Sequence, residues 1–276
     1  MKSRTFKYNI LNPVVRIVVQ FMVAIAFITS LTDAKSGLGA DTPDGSAQIA
    51  AQPTNTTDSF TFKTLDGVTT ITVDVTAAPD LKIWVENKLA PVLAVWYPKL
   101  VAWLPSPGFT APNRFKITLK PMNGVAYTTG TNVSVSIEWI RSEMNGQAIG
   151  SLVHECVHVV QQYGHSYGGA KAPFWLTEGM ADYFRWFKYE PQSHGADLDW
   201  VKRQPKDSIR YDGAYRISAN FLDWVTRKHA PHIVVELNAA MRNGTYSDDI
   251  WKQKTGKTLQ ELGAEWKKDI EMQLAE

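Results

Sequence analysis

The chain has 276 residues, 44% of them hydrophobic, enough for one substantial core in one large domain or two small lobes. Its 29 Lys and Arg nearly balance its 27 Asp and Glu and form no clustered basic stripe, so nothing predicts nucleic-acid binding. Cys156 is the single cysteine, which excludes an intrachain disulfide.

The N-terminal segment 1–34 predicts a secretory signal peptide. Lys2, Arg4 and Lys7 precede the apolar run 17–28, which is short for a membrane span, and small residues follow it. An uncleaved membrane anchor is the alternative. Without this segment the chain carries 25 basic against 26 acidic residues, a net charge of −1, so its mild basicity belongs to the targeting signal. We expect a secreted or periplasmic protein with no stable membrane association after cleavage.

The next segment, 35–58, is small, polar and rich in Pro, Gly and Thr, which predicts a flexible linker. Whether it acts as a pro-segment stays open. The predicted folded domain is 59–276, with a sheet and one helix in 59–164 and a helical lobe in 165–276.

Alternating, β-branched segments predict five strands, at 59–64, 68–75, 114–119, 125–129 and 133–140. The dipeptide Asp66-Gly67 between the first two indicates a hairpin. The long apolar segment 79–104 predicts a helix, interrupted or restarted at Pro91 and Pro98.

From residue 145 onward the pattern becomes helical, with helices predicted at 145–164, 174–190, 213–229, 231–242 and 258–273. A sheet followed by helices predicts an α+β fold rather than a βαβ one.

The sequence HECVH at 154–158 matches the HExxH pattern. Residues four apart lie on one face of a helix, so His154 and His158 can direct both imidazoles at one cation. A catalytic zinc needs three protein ligands and an open position. The extended metzincin motif would place a glycine and a third histidine where this chain has Gln161 and Gly164, so that version is excluded.

A glutamate on the following helix can supply the third ligand. Glu178 lies 20 residues after His158, and Asp182 lies one turn further on the same face, where it can accept the second N–H of a ligating imidazole. The alternative is that His154 and Glu155 form a satisfied polar pair while the two later carboxylates are solvated. All of them lie within apolar runs, where a cation offsets the cost of burying charge, so the metal site is favoured.

We therefore predict one Zn²⁺ per chain, held by His154, His158 and Glu178 and supported by Asp182. Glu155, beside the first histidine, is placed to take a proton from the attacking water and to pass it to the leaving amine.

Four segments carry a resemblance to a known family: HECVHVVQQY, WLTEGMADYFRW, RYDGAYRISANFLDWV and ELNAAMRNGTYSDDIWKQKTGKTLQELGAEWK. Together they resemble the plant basic secretory proteins and their bacterial relatives, secreted peptidase-like proteins of the gluzincin kind. The resemblance covers residues 59–272 and is strongest over 145–262. The chain departs from it in having no basic charge after the signal segment and only one cysteine.

The resemblance implies a zincin-like (gluzincin) fold with a cleft between the sheet and the helical lobe. It also implies His154, His158 and Glu178 as ligands, Glu155 as general base, and hydrolysis of peptide bonds. A tyrosine often stabilises the oxyanion in gluzincins, and Tyr215, at the start of a predicted helix, is similarly placed.

Tyr211 and Arg216 compete with Tyr215 for the oxyanion role. The structural alternative is that the Tyr215 ring packs beneath the zinc helix. The sequence leaves these alternatives open.

The segment 124–130 can form a wall of the cleft, where an extended peptide adds its backbone to the sheet edge. The chain lacks the Gly-x-Met-Glu-Asn signature of gluzincin aminopeptidases, and Glu138 and Glu143 lie nearby in other contexts, so an endopeptidase is favoured. We expect a monomer acting on a peptide or protein substrate. The alternative function is a catalytically weak zinc protein that binds peptides or cell-surface glycans.

Other candidate residues have structural interpretations. Cys156 is predicted to be a small buried residue, with a thiolate ligand as the alternative. The aromatic run 183–187 is predicted to form the core face of its helix. Four further histidines lack metal spacing and are predicted to be surface or cap residues: His165, His194, His229 and His232.

Overall fold

The structure is a computed structural model that describes residues 58–164, 169 and 171–274. The predicted signal peptide, all but the last residue of the predicted linker, and His165 lie outside the described residues. Within the described part of the chain, no helix combines the length and the apolar composition needed to cross a membrane.

A five-stranded mixed sheet forms one layer of the fold, with strands β1 (Ser59–Lys63), β2 (Thr70–Asp74), β3 (Arg114–Lys120), β4 (Ala126–Thr129) and β5 (Asn132–Ser136). The strand order is β1-β2-β3-β5-β4. β1 and β2 pair antiparallel, which confirms the predicted hairpin, and Gly67 takes a positive φ of 72° in its turn. β2–β3 and β3–β5 are parallel, and β4 pairs antiparallel with β5 at the edge.

A helical crossover joins the parallel strands β2 and β3, as parallel pairing requires. It runs through a 3₁₀ turn (Pro79–Leu81), α1 (Lys82–Trp84), a π-helical turn (Val85–Leu89) and α2 (Ala90–Trp103). The structure therefore confirms a mixed α+β fold, whereas the expectation that it contains no βαβ unit was wrong at this point. Pro91 falls in the first turn of α2, where its missing N–H is tolerated, and Pro98 lies inside the helix without ending it.

The last predicted strand, 133–140, was wrong in its second half. β5 ends at Ser136, and α3 (Ile137–Glu143) begins at the next residue. The Ser136 hydroxyl accepts a hydrogen bond from the Trp139 N–H at 3.3 Å, which is an N-cap. Ile137 and Ile140, three residues apart, are both buried, a helical spacing that the β-branched composition concealed.

Helices build the rest of the molecule: α4 (Ala148–Gln161), α5 (Phe174–Phe184), α6 (Leu198–Lys202), α7 (Tyr215–Lys228), α8 (Ile233–Arg242), α9 (Asp249–Thr255) and α10 (Leu259–Leu274). The sequence predicted five of them and missed the short helices α6 and α9. A π-helical turn, Arg185–Tyr189, extends α5, and the predicted core face over 183–187 is confirmed by burial of its first four side chains.

Close packing of α5 against α7 brings two of the predicted site elements together. A Cβ atom on Gly179 would lie 2.5 Å from the Cβ of Ser218, so the two helices can approach this closely only without a side chain at that position. Helix α4 is buried along nearly its whole length. Its C-terminal carbonyls at Val160 and Gln161 accept hydrogen bonds from the Arg242 guanidinium on α8.

Candidate metal centre

Two neighbouring helices carry the predicted site residues. On α4, His154 and Glu155 are only 7% and 6% exposed. On α5, Glu178 and Asp182 are 5% and 4% exposed and lie one helical turn apart. His158, on α4, is half-buried, and its imidazole meets that of His154 edge to face at 4.8 Å between ring centroids. The structure therefore brings all five residues into one buried cluster.

Three potential ligand atoms converge within this cluster. His154 Nε2 lies 3.1 Å from His158 Nε2 and 3.2 Å from Glu178 Oε2. His158 Nε2 lies 3.4 Å from the same carboxylate oxygen. Ligands at about 2.0–2.2 Å from a tetrahedral zinc stand about 3.3–3.6 Å from one another. The spacing and the donor types, two imidazole nitrogens and one carboxylate oxygen, therefore fit a zinc ion.

Hydrogen bonds behind the cluster hold both imidazoles in one tautomer. His154 Nδ1 lies 2.7 Å from Asp182 Oδ1, and His158 Nδ1 lies 2.7 Å from Gln161 Oε1. The Gln161 amide donates its N–H to the Thr177 carbonyl at 3.1 Å, which turns its oxygen towards the histidine. Both Nδ1 atoms thus donate a proton, and both Nε2 lone pairs face the convergence point.

Gln161 was missed as a site residue. The sequence contained a signal for it, since Gln161 follows His158 by three residues on the same helix face. In the sequence, Gln161 indicated only that the extended metzincin motif is absent, because that motif has a glycine at this position.

The buried carboxylates of the cluster favour a positive charge at its centre. Burial lowers the pKa of His154, but Asp182 and Glu178 outweigh burial and raise it to about 10. Burial also lowers the pKa of His158, yet Glu178 raises it overall. Burial raises the pKa of Glu178, but the two histidines bring it far below its usual range. Without a cation, a proton must be shared among these groups, and a divalent metal can take its place.

Replacing Gln161 with leucine is expected to weaken zinc binding by about 10- to 100-fold, because the His158 ring loses the acceptor that orients it. The measurement is a competition titration against a chromophoric chelator. Gln204→Leu is the matched control, since the Gln204 amide donates to the Trp200 carbonyl on α6. Equal zinc affinity in Gln161→Leu and wild type would show that His158 needs no orienting partner.

Glu155 lies beside the ligands and bonds to a different element. Its Oε2 accepts a hydrogen bond from Thr128 Oγ1 on β4 at 2.7 Å. Among the described residues, the group that could hold a metal comprises His154, His158 and Glu178. Glu155 therefore directly follows a candidate ligand in the chain, while its carboxylate is held from the side of the sheet.

Tyr215 begins α7 and faces the cluster. Its ring lies 6.3 Å from that of His154, nearly parallel to it, while the residue remains 42% exposed, which does not fit the alternative of a ring packed beneath the zinc helix. Burial and the nearby Glu178 carboxylate raise the pKa of the Tyr215 hydroxyl, so it stays protonated as a donor. Ala214 and Tyr215 have φ values of 63° and 47°, a strained conformation that concentrates at functional sites.

The two competitors for the oxyanion role are engaged elsewhere. The Tyr211 ring packs at 5.5 Å from both Trp175 and Phe221. Arg216 donates to the Gln147 side-chain oxygen at 2.9 Å, and its guanidinium lies 4.1 Å from the centre of the Trp186 ring. The role of Tyr215 stays a prediction, with its position next to His154 in its favour.

The remaining candidates have structural positions. Cys156 is fully buried in the core, where burial raises the pKa of its thiol, as expected of an inert cysteine. His229 and His232 lie at the C-cap of α7 and the N-cap of α8, and His194 is exposed and bonded to Asp197, which confirms their predicted surface or cap positions.

Comparison with known proteins gives one family match. The family model BSP, described as peptidase of plants and bacteria, matches residues 73–266. No curated protein sequence matches the chain.

Three solved structures resemble the fold at 17% sequence identity. Two are mutants of a two-domain M1 zinc metallopeptidase bound to L-arginine or L-tryptophan, with TM-scores of 0.43 and 0.44. The third is a mutant M1 zinc metallopeptidase from Deinococcus radiodurans bound to a Tyr-Ser-Ala substrate, with a TM-score of 0.42. Each match covers 79% of this chain and 51% of the other, so the chain spans about half the length of these structures.

Proposed function

The chain belongs to the BSP family of peptidases of plants and bacteria, and on this premise we propose that it is a secreted zinc metallopeptidase with Glu155 as general base. One observation carries the zinc assignment: His154 Nε2, His158 Nε2 and Glu178 Oε2 stand 3.1–3.4 Å apart, as the ligands of one ion do. A zincin-like fold with a substrate cleft between sheet and helices is part of the same proposal.

Each residue of the cluster has a distinct task in hydrolysis. Zinc, when bound, supplies the Lewis acidity that makes water nucleophilic at neutral pH and polarises a peptide carbonyl. His154, His158 and Glu178 hold the ion. Glu155 takes the proton released as water adds to the carbonyl and returns it to the leaving amine.

Three further residues support this chemistry. Asp182 and Gln161 fix the orientation of the two imidazoles by accepting hydrogen bonds from their Nδ1–H groups. Tyr215, which stays protonated, donates a hydrogen bond from its hydroxyl to the oxyanion that develops on the former carbonyl oxygen. Each of these contributions is strongest where the site excludes water, and His154 and Glu178 are each less than 10% exposed.

The proposed substrate is an extended peptide that binds along β4. This strand pairs with β5 alone among the described strands, so its other edge is free of strand partners there. A peptide added at that edge would gain main-chain hydrogen bonds with little selectivity for side chains. Together with the absent Gly-x-Met-Glu-Asn signature, this favours an endopeptidase.

The deciding experiment combines metal analysis with a peptide-library cleavage screen. Purified protein should contain one zinc per chain, and cleavage should stop with a chelator and return when zinc is added. N-terminally blocked peptides should be cut as readily as free ones if the enzyme is an endopeptidase. Protein without stoichiometric metal would refute the proposal, and zinc-loaded protein that cleaves nothing would favour a peptide- or glycan-binding role instead.

Export is tested separately by N-terminal sequencing of protein recovered outside the cytoplasm. We expect the mature chain to lack residues 1–34. Recovery of the intact N-terminus in a membrane fraction would instead support the uncleaved anchor.

A further inference from the structure

Thr128 lies between the sheet edge and the general base of the proposed reaction. On β4, Ala126 and Thr128 are half-buried while Tyr127 and Thr129 are exposed, so the Thr128 side chain points inward towards α4. Its hydroxyl lies 2.7 Å from Glu155 Oε2 and 3.2 Å from the Glu155 carbonyl oxygen. A single side chain thus contacts both the carboxylate and the backbone of Glu155.

The direction of this hydrogen bond follows from the chemistry of the groups. An ionised carboxylate only accepts, so the threonine hydroxyl must donate, and the shorter contact takes most of its one proton. This engages Oε2 and leaves Oε1 as the oxygen available to a water molecule. We propose that Thr128 is a positioning residue that fixes the rotation of the Glu155 carboxylate for proton transfer, an inference that rests on the proposed function.

The carboxylate needs such a partner because its terminal torsion is intrinsically loose. Rotation about the last bond of a glutamate side chain is broad and roughly two-fold, unlike the staggered torsions nearer the backbone. Proton transfer requires the accepting oxygen within hydrogen-bond reach of the water, and small misplacements lower the rate strongly. Glu155 is only 6% exposed, so solvent has little access to replace a lost donor.

The location of Thr128 also ties base orientation to the substrate-binding strand. Thr128 pairs with Val133 of β5 on one side, and the other edge of β4 is where a peptide would add in the proposed binding mode. The strand that would hold the substrate therefore also holds the base.

The test compares three threonine variants with wild type in a peptide cleavage assay. Thr128→Val keeps the shape of the side chain and removes the hydroxyl, and Thr128→Ser keeps the hydroxyl. Thr72→Val is the matched control, since Thr72 is a half-buried threonine on β2 whose hydroxyl bonds to that of Thr61. Thr128→Val should lower kcat by about 10- to 100-fold, the range for a lost hydrogen bond to a charged group, with KM within about twofold. Zinc content should be unchanged, and Thr128→Ser should restore kcat.

The double variant Thr128→Val/Glu155→Gln separates positioning from general damage. If Thr128 acts through Glu155, adding Thr128→Val to Glu155→Gln should lower the residual rate no further. An additive loss, a loss of zinc in Thr128→Val, or a wild-type kcat in Thr128→Val would each overturn the inference.

Wild type and Glu155→Gln in the same assay show which proposal fails. If wild type cleaves, Glu155→Gln retains only a small residual rate and Thr128→Val cleaves normally, only the role of Thr128 is refuted. A zinc-loaded wild type that cleaves nothing refutes both.

Discussion

Replacing Glu155 with glutamine is expected to reduce peptide hydrolysis to a small residual rate while leaving zinc bound. The amide has the same shape but cannot accept the proton of the attacking water, and general-base catalysis contributes about 100- to 10,000-fold to rate. Zinc should remain because the Glu155 carboxylate bonds to Thr128, whereas the three atoms proposed to hold the metal come from His154, His158 and Glu178.

The measurement pairs kcat/KM on a cleaved library peptide with zinc content of the same preparation. Glu138→Gln is the matched control, since Glu138 is an exposed carboxylate on α3 that accepts a bond from Ser136. Full activity in Glu155→Gln would mean that another residue acts as the general base. Loss of zinc together with activity would instead make Glu155 part of the metal binding.

The ligand positions could be predicted because helix geometry alone determines part of the site. His154 and His158 are four apart, as are Glu178 and Asp182, so each pair shares a face on any α-helix. That α4 and α5 lie side by side depends on tertiary packing, which cannot be predicted from the spacing of residues in the sequence. Gly179, next to Glu178, allows the close contact of α5 with α7, the helix that begins at Tyr215.

Contacts that depend on side-chain rotamers or strand register could not be predicted. The Gln161 bond to His158 depends on which way an amide is turned, and here the Thr177 carbonyl decides it. Thr128 lies 27 residues before Glu155 in the sequence, and their contact depends on which face of β4 meets α4. A one-residue shift in the register of β4 would have presented Tyr127 or Thr129 instead.

The errors in the fold have similar causes. Alternation in sequence identifies strands but not their neighbours, so the parallel pairing of β2 with β3 around a helical crossover was not foreseen. The strand predicted through residue 140 ended at Ser136, because a capping hydroxyl outweighed β-branched composition. Helices α6 and α9 have 5 and 7 residues, too few for a periodic pattern.

Removing zinc is expected to destabilise the protein, and by more at alkaline than at neutral pH. In the metal-free protein a proton must occupy the position of the cation, since Asp182 and Glu178 raise the pKa of His154 to about 10 against the lowering effect of burial. With zinc bound, the histidine nitrogens hold the ion and need no proton. The free energy of unfolding of the metal-free form should therefore change with pH in the range where that of the zinc-bound form stays constant.

The sign follows from the direction of the His154 shift. The pKa of His154 is raised from its usual 6.5 to about 10, so protonation of this histidine stabilises the folded state, and does so fully at pH values below the pKa of the unfolded state. That contribution to stability is lost as the pH rises towards the pKa of His154 in the folded state, at about 1.4 kcal/mol per pH unit. Between about pH 7 and 8.5 the metal-free protein should lose about 2 kcal/mol. Glu178, whose pKa is lowered, stays charged throughout this pH range and so adds nothing to the pH dependence of stability.

Denaturant unfolding of zinc-loaded and chelator-treated protein at several pH values in this window provides the measurement. The difference between the two forms isolates the site, because the other titrating groups are common to both. His194→Ala, which removes an exposed histidine paired with Asp197, should leave that difference unchanged. His154→Ala should reduce the pH dependence of the metal-free form, and what remains reports on His158, whose pKa burial lowers but Glu178 raises overall. A metal-free protein whose stability is flat or rises with pH would mean that the three ligands do not share a proton in the absence of zinc, and that the negative field of Glu178 and Asp182 is balanced in some other way.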